Sequence, residues 1–151
     1  MGSGRKILMI DDDVNLVSVF RLVCEASGYE FHSAGSAVHG LAAIEAVQPD
    51  LIILDVIMED FVAGFRVVNE LRANPASRYT RFSRVPIIML TSVTTKTQLD
   101  FAERVGTALL PVDAFVEKPV KPAEMLAMIE TVLARSAASA ARGSSRSAPD
   151  G

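Results

Sequence analysis

The sequence predicts an α/β fold: a five-stranded parallel sheet in the order 2-1-3-4-5, doubly wound by five helices. Short β-rich runs alternate strictly with segments of helical periodicity, which is the pattern of parallel strands joined by helical crossovers. Two of those runs end in acid, one at Asp11-Asp12-Asp13 and one at Asp55. In an open α/β sheet, chemistry gathers at the C-terminal strand ends beside the topological switch point. With right-handed crossovers, the 2-1-3-4-5 order makes strands one and three neighbours and brings these acids together.

Each element has its own signal. The first strand spans 6–10, and Asp13 then caps a helix over 14–27, an acid being favoured at the positive end of the helix dipole. A second strand over 30–33 leads into a helix over 37–47. Leu51-Ile52-Ile53-Leu54 is uninterruptedly apolar, as expected of a strand buried on both faces. A third helix is predicted over 64–73, followed by a long connection over 74–84 that carries Arg78, Tyr79, Arg81, Phe82 and Arg84. The fourth strand occupies 86–90, a helix 96–105, the fifth strand 114–117 and a last helix 122–134. From residue 135 to 151 the composition turns to Ser, Ala, Gly and Arg, which predicts a disordered tail in which Arg135, Arg142 and Arg146 are solvated. Residues 1–4, Met-Gly-Ser-Gly, have the look of a cloning remnant.

Composition narrows the function classes. The chain has 151 residues, half of them apolar, and a net charge of −3, enough for one core-bearing domain without the basic excess of a nucleic-acid or membrane binder. No apolar run approaches the ~20 residues of a membrane span, and no secretory signal precedes the first strand. The single cysteine, Cys24, excludes an internal disulfide and is expected as a buried helix residue in a reducing cytoplasm. His32 and His39 have no metal-ligand spacing and read as surface residues, and Met89, Met125 and Met128 read as core packing.

The chemistry is read from the strand ends. Carboxylates crowded together repel unless a divalent cation neutralises them, so Asp11, Asp12 and Asp55 imply an oxygen-ligand metal site. Strand four is followed by the hydroxyls of Thr91 and Ser92, and strand five by Lys118. This set suits phosphoryl transfer onto a carboxylate, with Asp55 as nucleophile, the metal at Asp11 and Asp12, and Lys118 and Thr91 on the remaining phosphoryl oxygens.

The chain resembles the receiver domain of response regulators, in particular the chemotaxis-type single-domain proteins with a flavodoxin-like fold. The resemblance rests on Ile7-Leu8-Met9-Ile10-Asp11-Asp12-Asp13, on 49–58 (Pro-Asp-Leu-Ile-Ile-Leu-Asp-Val-Ile-Met), on Pro86-Ile87-Ile88-Met89-Leu90-Thr91-Ser92 and on Phe115-Val116-Glu117-Lys118-Pro119, and covers 5–134. It implies Asp55 as the phosphorylated aspartate and a Mg²⁺ site formed by Asp11, Asp12, Asp55 and the backbone carbonyl of Ile57. It also implies Thr91 as the switch hydroxyl, Phe115 as an aromatic rotamer switch, Lys118 as the phosphoryl-binding lysine and a cis peptide bond between Lys118 and Pro119. The implied partners are a sensor histidine kinase or histidine phosphotransfer protein, and a downstream protein read by the face of the fourth helix, fifth strand and fifth helix. The expectation is a cytoplasmic two-component phosphorelay protein, able to form a homodimer and contacting neither nucleic acid nor membrane. It is not expected to be an enzyme beyond self-phosphorylation from a donor and slow self-dephosphorylation.

One stretch departs from the family pattern. After Met58 the family usually has proline and a glycine a few residues on; here Glu59 takes the proline's place and Gly64 comes one residue late. The longer, more acidic loop over 59–63 keeps open a second reading, a phosphorylation-independent docking scaffold. A third reading, an aspartyl-phosphate phosphatase of the haloacid-dehalogenase type, needs an acid two residues after the nucleophile, and that position is Ile57. Nucleotide binding is disfavoured because no Gly-rich phosphate loop opens the first helix.

Residues two beyond Asp55 and Thr91 are Ile57 and Val93, whose side chains cannot orient an attacking water by hydrogen bonding. The aspartyl phosphate is therefore expected to be long-lived. Replacing Ile57→Asn and Val93→Glu together should shorten its half-life severalfold, measured as decay of the phosphorylated mass; an unchanged or longer half-life would refute the argument.

Overall fold

A computed structural model of the chain describes residues 4–55, 63–74, 76–91 and 112–147. Five strands, β1 (Lys6–Ile10), β2 (Glu30–Ala34), β3 (Leu51–Asp55), β4 (Ile87–Thr91) and β5 (Ala114–Glu117), form one parallel sheet in the order β2-β1-β3-β4-β5. The helices are α1 (Val14–Ala26), α2 (Ala37–Val47), α3 (Ala63–Val68) and the C-terminal α4 (Pro122–Ser147). The helix expected over 96–105, the 59–62 loop residues, and Ile57, Ser92 and Val93 lie outside the described residues.

Side-chain alternation along the strands divides the core in two. Leu8, Ile10, Ile52, Leu54, Ile87 and Met89 face α2 and α3, where they meet Ile44, Val67 and Leu71. Ile7, Met9, Leu51, Ile53, Ile88 and Leu90 face α1 and α4, where they meet Phe20, Cys24, Met125 and Ile129. Because both faces are covered, β3 and β4 are buried throughout, which is why their sequences are apolar without alternation. The edge strands β2 and β5 alternate in burial instead.

The crossovers are closed by local hydrogen bonds. Asp13 caps α1, its carboxylate accepting from the N–H groups of Asn15 and Leu16. At the other end Gly28 takes φ 92°, and the N–H groups of Tyr29 and Gly28 donate to Cys24 O and Glu25 O, the paired bonds of a Schellman turn. Ser36 caps α2 through the N–H of His39, and Gln48 closes it in the left-handed conformation.

Two elements differ from the sequence expectation. The helix expected over 64–73 begins at Ala63 and widens into a π turn over Asn69–Ala73, closed by Asn74 N–H donating to Asn69 O. The tail expected to be disordered from residue 135 is helical through Ser147. The physical reason is alanine: low hydrophobicity argues against a packed core, but Ala137, Ala138, Ala140 and Ala141 have the highest intrinsic helix propensity and extend a helix already nucleated on the body. The 76–84 connection is better anchored than a solvated loop. It forms a 3-10 turn over Thr80–Phe82, buries Phe82, and ties Arg78 and Arg81 to Glu45 of α2 at 3.0 and 4.0 Å.

Cys24 is 1 % exposed in the α1–α4 core, and burial, with a smaller contribution from Glu25, pushes its thiol from 9.0 up to about 11. A raised thiol pKa contributes stability that is complete below the unfolded value and is lost as pH rises toward the folded one. Between pH 9 and 11 the native chain should lose up to about 3 kcal/mol relative to Cys24→Ala. Urea melts of the two proteins across that range check this, parallel pH profiles being the contrary result.

Candidate functional site

The C-terminal edge of the sheet gathers the polar residues that the core excludes. Asp11 follows β1 directly and is 3 % exposed. Its N–H donates to Ala34 O at 2.9 Å, continuing the β1–β2 ladder past the strand and fixing the acid's backbone. Asp11 Oδ1 accepts from the N–H of Asp13 at 2.9 Å. Asp11 Oδ2 is buried and accepts no hydrogen bond among the described residues. Asp55 is the last residue of β3 and is 7 % exposed, while Asp12 is open to solvent. One carboxylate oxygen from each of Asp11, Asp12 and Asp55 lies within 4.8 Å of the others.

Lys118, just after β5, is the counter-ion. Its Nζ stands 3.4 Å from Asp11 Oδ2 and 3.4 Å from Asp55 Oδ2. Burial works against the ammonium, but attraction to Asp11 and then Asp55 outweighs it and holds the lysine above its ordinary pKa. Lys118 is paired with two of the three clustered acids, and a divalent cation would neutralise further negative charge there. The donor set is all oxygen, and the buried Asp11 Oδ2 has the Lys118 ammonium 3.4 Å away but accepts no aligned hydrogen bond among the described residues. These residues therefore fit a hard cation such as Mg²⁺.

Thr91 closes β4, is 4 % exposed, and its carbonyl accepts from the N–H of Lys118 at 2.6 Å. The Lys118–Pro119 peptide bond is cis. Phe115 is 46 % exposed on β5, so its ring stands outside the core. Asp11, Asp12, Asp55 and Lys118 are thus brought together, Thr91 ends the neighbouring strand, and the Ile57 carbonyl falls outside the described residues. Sequence reasoning missed two contacts: the anchoring of Asp11 by Ala34 and the direct bridging of Asp11 by Lys118. Both depend on strand register, and nothing in the local sequence signals them.

A family model, the response regulator receiver domain, matches residues 7–130. The chain belongs to that family. Among curated proteins, the receiver is 32 % identical over 131 residues to a probable transcriptional regulator, ycf27, of Cyanophora paradoxa, covering 87 % of this chain and 49 % of that protein. It is 30 % identical to the DNA-binding response regulator MtrA of Mycobacterium tuberculosis, over 87 % of this chain and 51 % of that one. The receiver spans about half the length of these relatives. Among solved structures it is similar to a CheY-like receiver domain protein from Methanospirillum hungatei, with a TM-score of 0.73 at 25 % identity over 91 % of this chain and 99 % of that one.

Removing the ammonium leaves Asp11 and Asp55 facing one another. Lys118→Ala should destabilise the metal-free receiver by about 1–3 kcal/mol, less than for a fully buried pair because the lysine is 26 % exposed. Mg²⁺ should restore part of that loss. Urea denaturation in chelator and in Mg²⁺ checks both statements, and equal stability with and without the lysine would contradict them.

Proposed function

We propose that this receiver accepts a phosphoryl group on Asp55 in a Mg²⁺-dependent reaction and signals to a partner protein by a conformational switch. The observation that carries the reading is the meeting of Asp11, Asp12 and Asp55 oxygens within 4.8 Å of one another, with Lys118 bridging two of the acids. An Asp55 oxygen forms the new bond to phosphorus as the bond from phosphorus to the donor breaks, its electron pair leaving with the donor. Bound by Asp11, Asp12 and Asp55, the ion supplies neutralisation of charge on the phosphoryl oxygens. Lys118, already 3.4 Å from the acceptor carboxylate, follows that charge onto the transferred group. The Thr91 hydroxyl then hydrogen-bonds a phosphoryl oxygen, and Phe115 turns inward from its exposed position. This is a shift between two populations of one fold.

The proposed donor is a sensor histidine kinase or a histidine phosphotransfer protein. The proposed output surface is the face around β5 and α4 with the 96–105 segment. Since the curated relatives are named as transcriptional or DNA-binding regulators, the output extends to a nucleic-acid-binding segment as well as to a separate protein. Catalysis is confined to self-phosphorylation and slow self-dephosphorylation.

Intact mass after incubation with Mg²⁺ and acetyl phosphate tests this reading. The expected result is one phosphoryl adduct, lost in Asp55→Asn and abolished by chelator. A chain that takes no adduct from acetyl phosphate or from any histidine kinase supplied would be a docking scaffold instead.

A further inference from the structure

Gly40 lies inside α2, where glycine is a poor helix former, so its presence there asks for a packing reason. The neighbour is Ile10, the last residue of β1. A Cβ placed on Gly40 would lie 2.7 Å from Ile10 Cδ1, 2.9 Å from Cγ2 and 3.1 Å from Cγ1. Swinging the far methyl aside would relieve only the first contact, because the other two atoms are bonded directly to Ile10 Cβ. Ile10 is itself fully buried and held between Ala34 and Leu54 in the sheet, so it has little room to yield. The next residue along is Asp11, whose N–H is bonded to Ala34 O, and Asp12 follows. A side chain at position 40 must therefore lift α2 off the sheet or push the end of β1, and that end carries two of the three acids.

We infer that Gly40 is a positioning residue for the cation site: by having no side chain it seats α2 against Ile10 and sets the placement of Asp11 and Asp12. The inference rests on the reading of Asp11, Asp12 and Asp55 as a Mg²⁺ site and adds a residue that touches neither the ion nor the phosphoryl group. Helix propensity alone makes the opposite prediction, that alanine at position 40 should be harmless or stabilising.

The test is calorimetric titration of the full chain with MgCl₂, beside thermal melts in chelator, for the wild type, Gly40→Ala, Ile10→Val and the double variant. Gly40→Ala should weaken Mg²⁺ binding on the order of tenfold, as when residues that orient metal ligands are altered. Ile10→Val, which removes the 2.7 Å contact atom, should bind like the wild type and restore part of the affinity in the double variant. Unchanged Mg²⁺ affinity in Gly40→Ala, with or without a lower melting temperature, would overturn the inference and leave Gly40 a packing residue only. Should Gly40→Ala fail to fold, the comparison moves to the Ile10→Val background, where equal affinities with and without Gly40→Ala overturn it. A wild type that takes up no Mg²⁺ would remove the metal reading and this one together, an outcome distinct from loss of the Gly40 effect alone.

Discussion

Covering the sheet on both faces is the constraint from which the rest of this molecule follows. β1, β3 and β4 have almost no solvent contact along their lengths, and a polar side chain placed mid-strand would be buried without water. Polar chemistry is therefore confined to the strand ends. The C-terminal ends of β1, β3, β4 and β5 carry Asp11 and Asp12, Asp55, Thr91 and Lys118, and the parallel arrangement sets them all on one edge. The same burial makes that edge electrostatically demanding, because Asp11 and Asp55 are nearly as buried as the core itself.

Lys118 is the resident answer to that demand. It reaches Asp11 and Asp55 at equal distances, so one ammonium holds together the ends of β1 and β3 from the far side of β4. This links the buried acids at the ends of β1 and β3 through one lysine. A change of charge at Asp55 must then be felt at Lys118, and through its backbone hydrogen bond at Thr91, on the strand next to exposed Phe115. The route from chemistry to surface is short because it runs across adjacent strand ends rather than through the core.

The helices on the α2–α3 face serve the same edge at one remove. Gly40 permits α2 to sit directly on Ile10, and Glu45 of the same helix takes the arginines of the 76–84 connection. The seating of α2 is thus braced at one end by close packing and at the other by ion pairs. Arg72 adds a tie from the π turn to Asp113, whose carboxylate also accepts from the N–H of Ile87 at the start of β4.

The sequence by itself determined the strands and the polar residues that end them, and it led to the expected order that the sheet adopts. Those features are written in local chemistry: apolar runs for doubly buried strands, acids and a lysine where the runs stop, Asp13 before α1. It misjudged 135–147, where composition spoke against a core but alanine favoured continuation of a helix already docked, and it placed no π turn in 69–73. Only the tertiary structure decided that Lys118 bridges Asp11 and Asp55, that Ala34 holds the Asp11 backbone, and that Gly40 abuts Ile10. These contacts join residues far apart in the chain, and their distances follow from register and helix seating. A pattern of residue types carries the period of a strand or helix; it does not carry the ångström offsets between one element and the next.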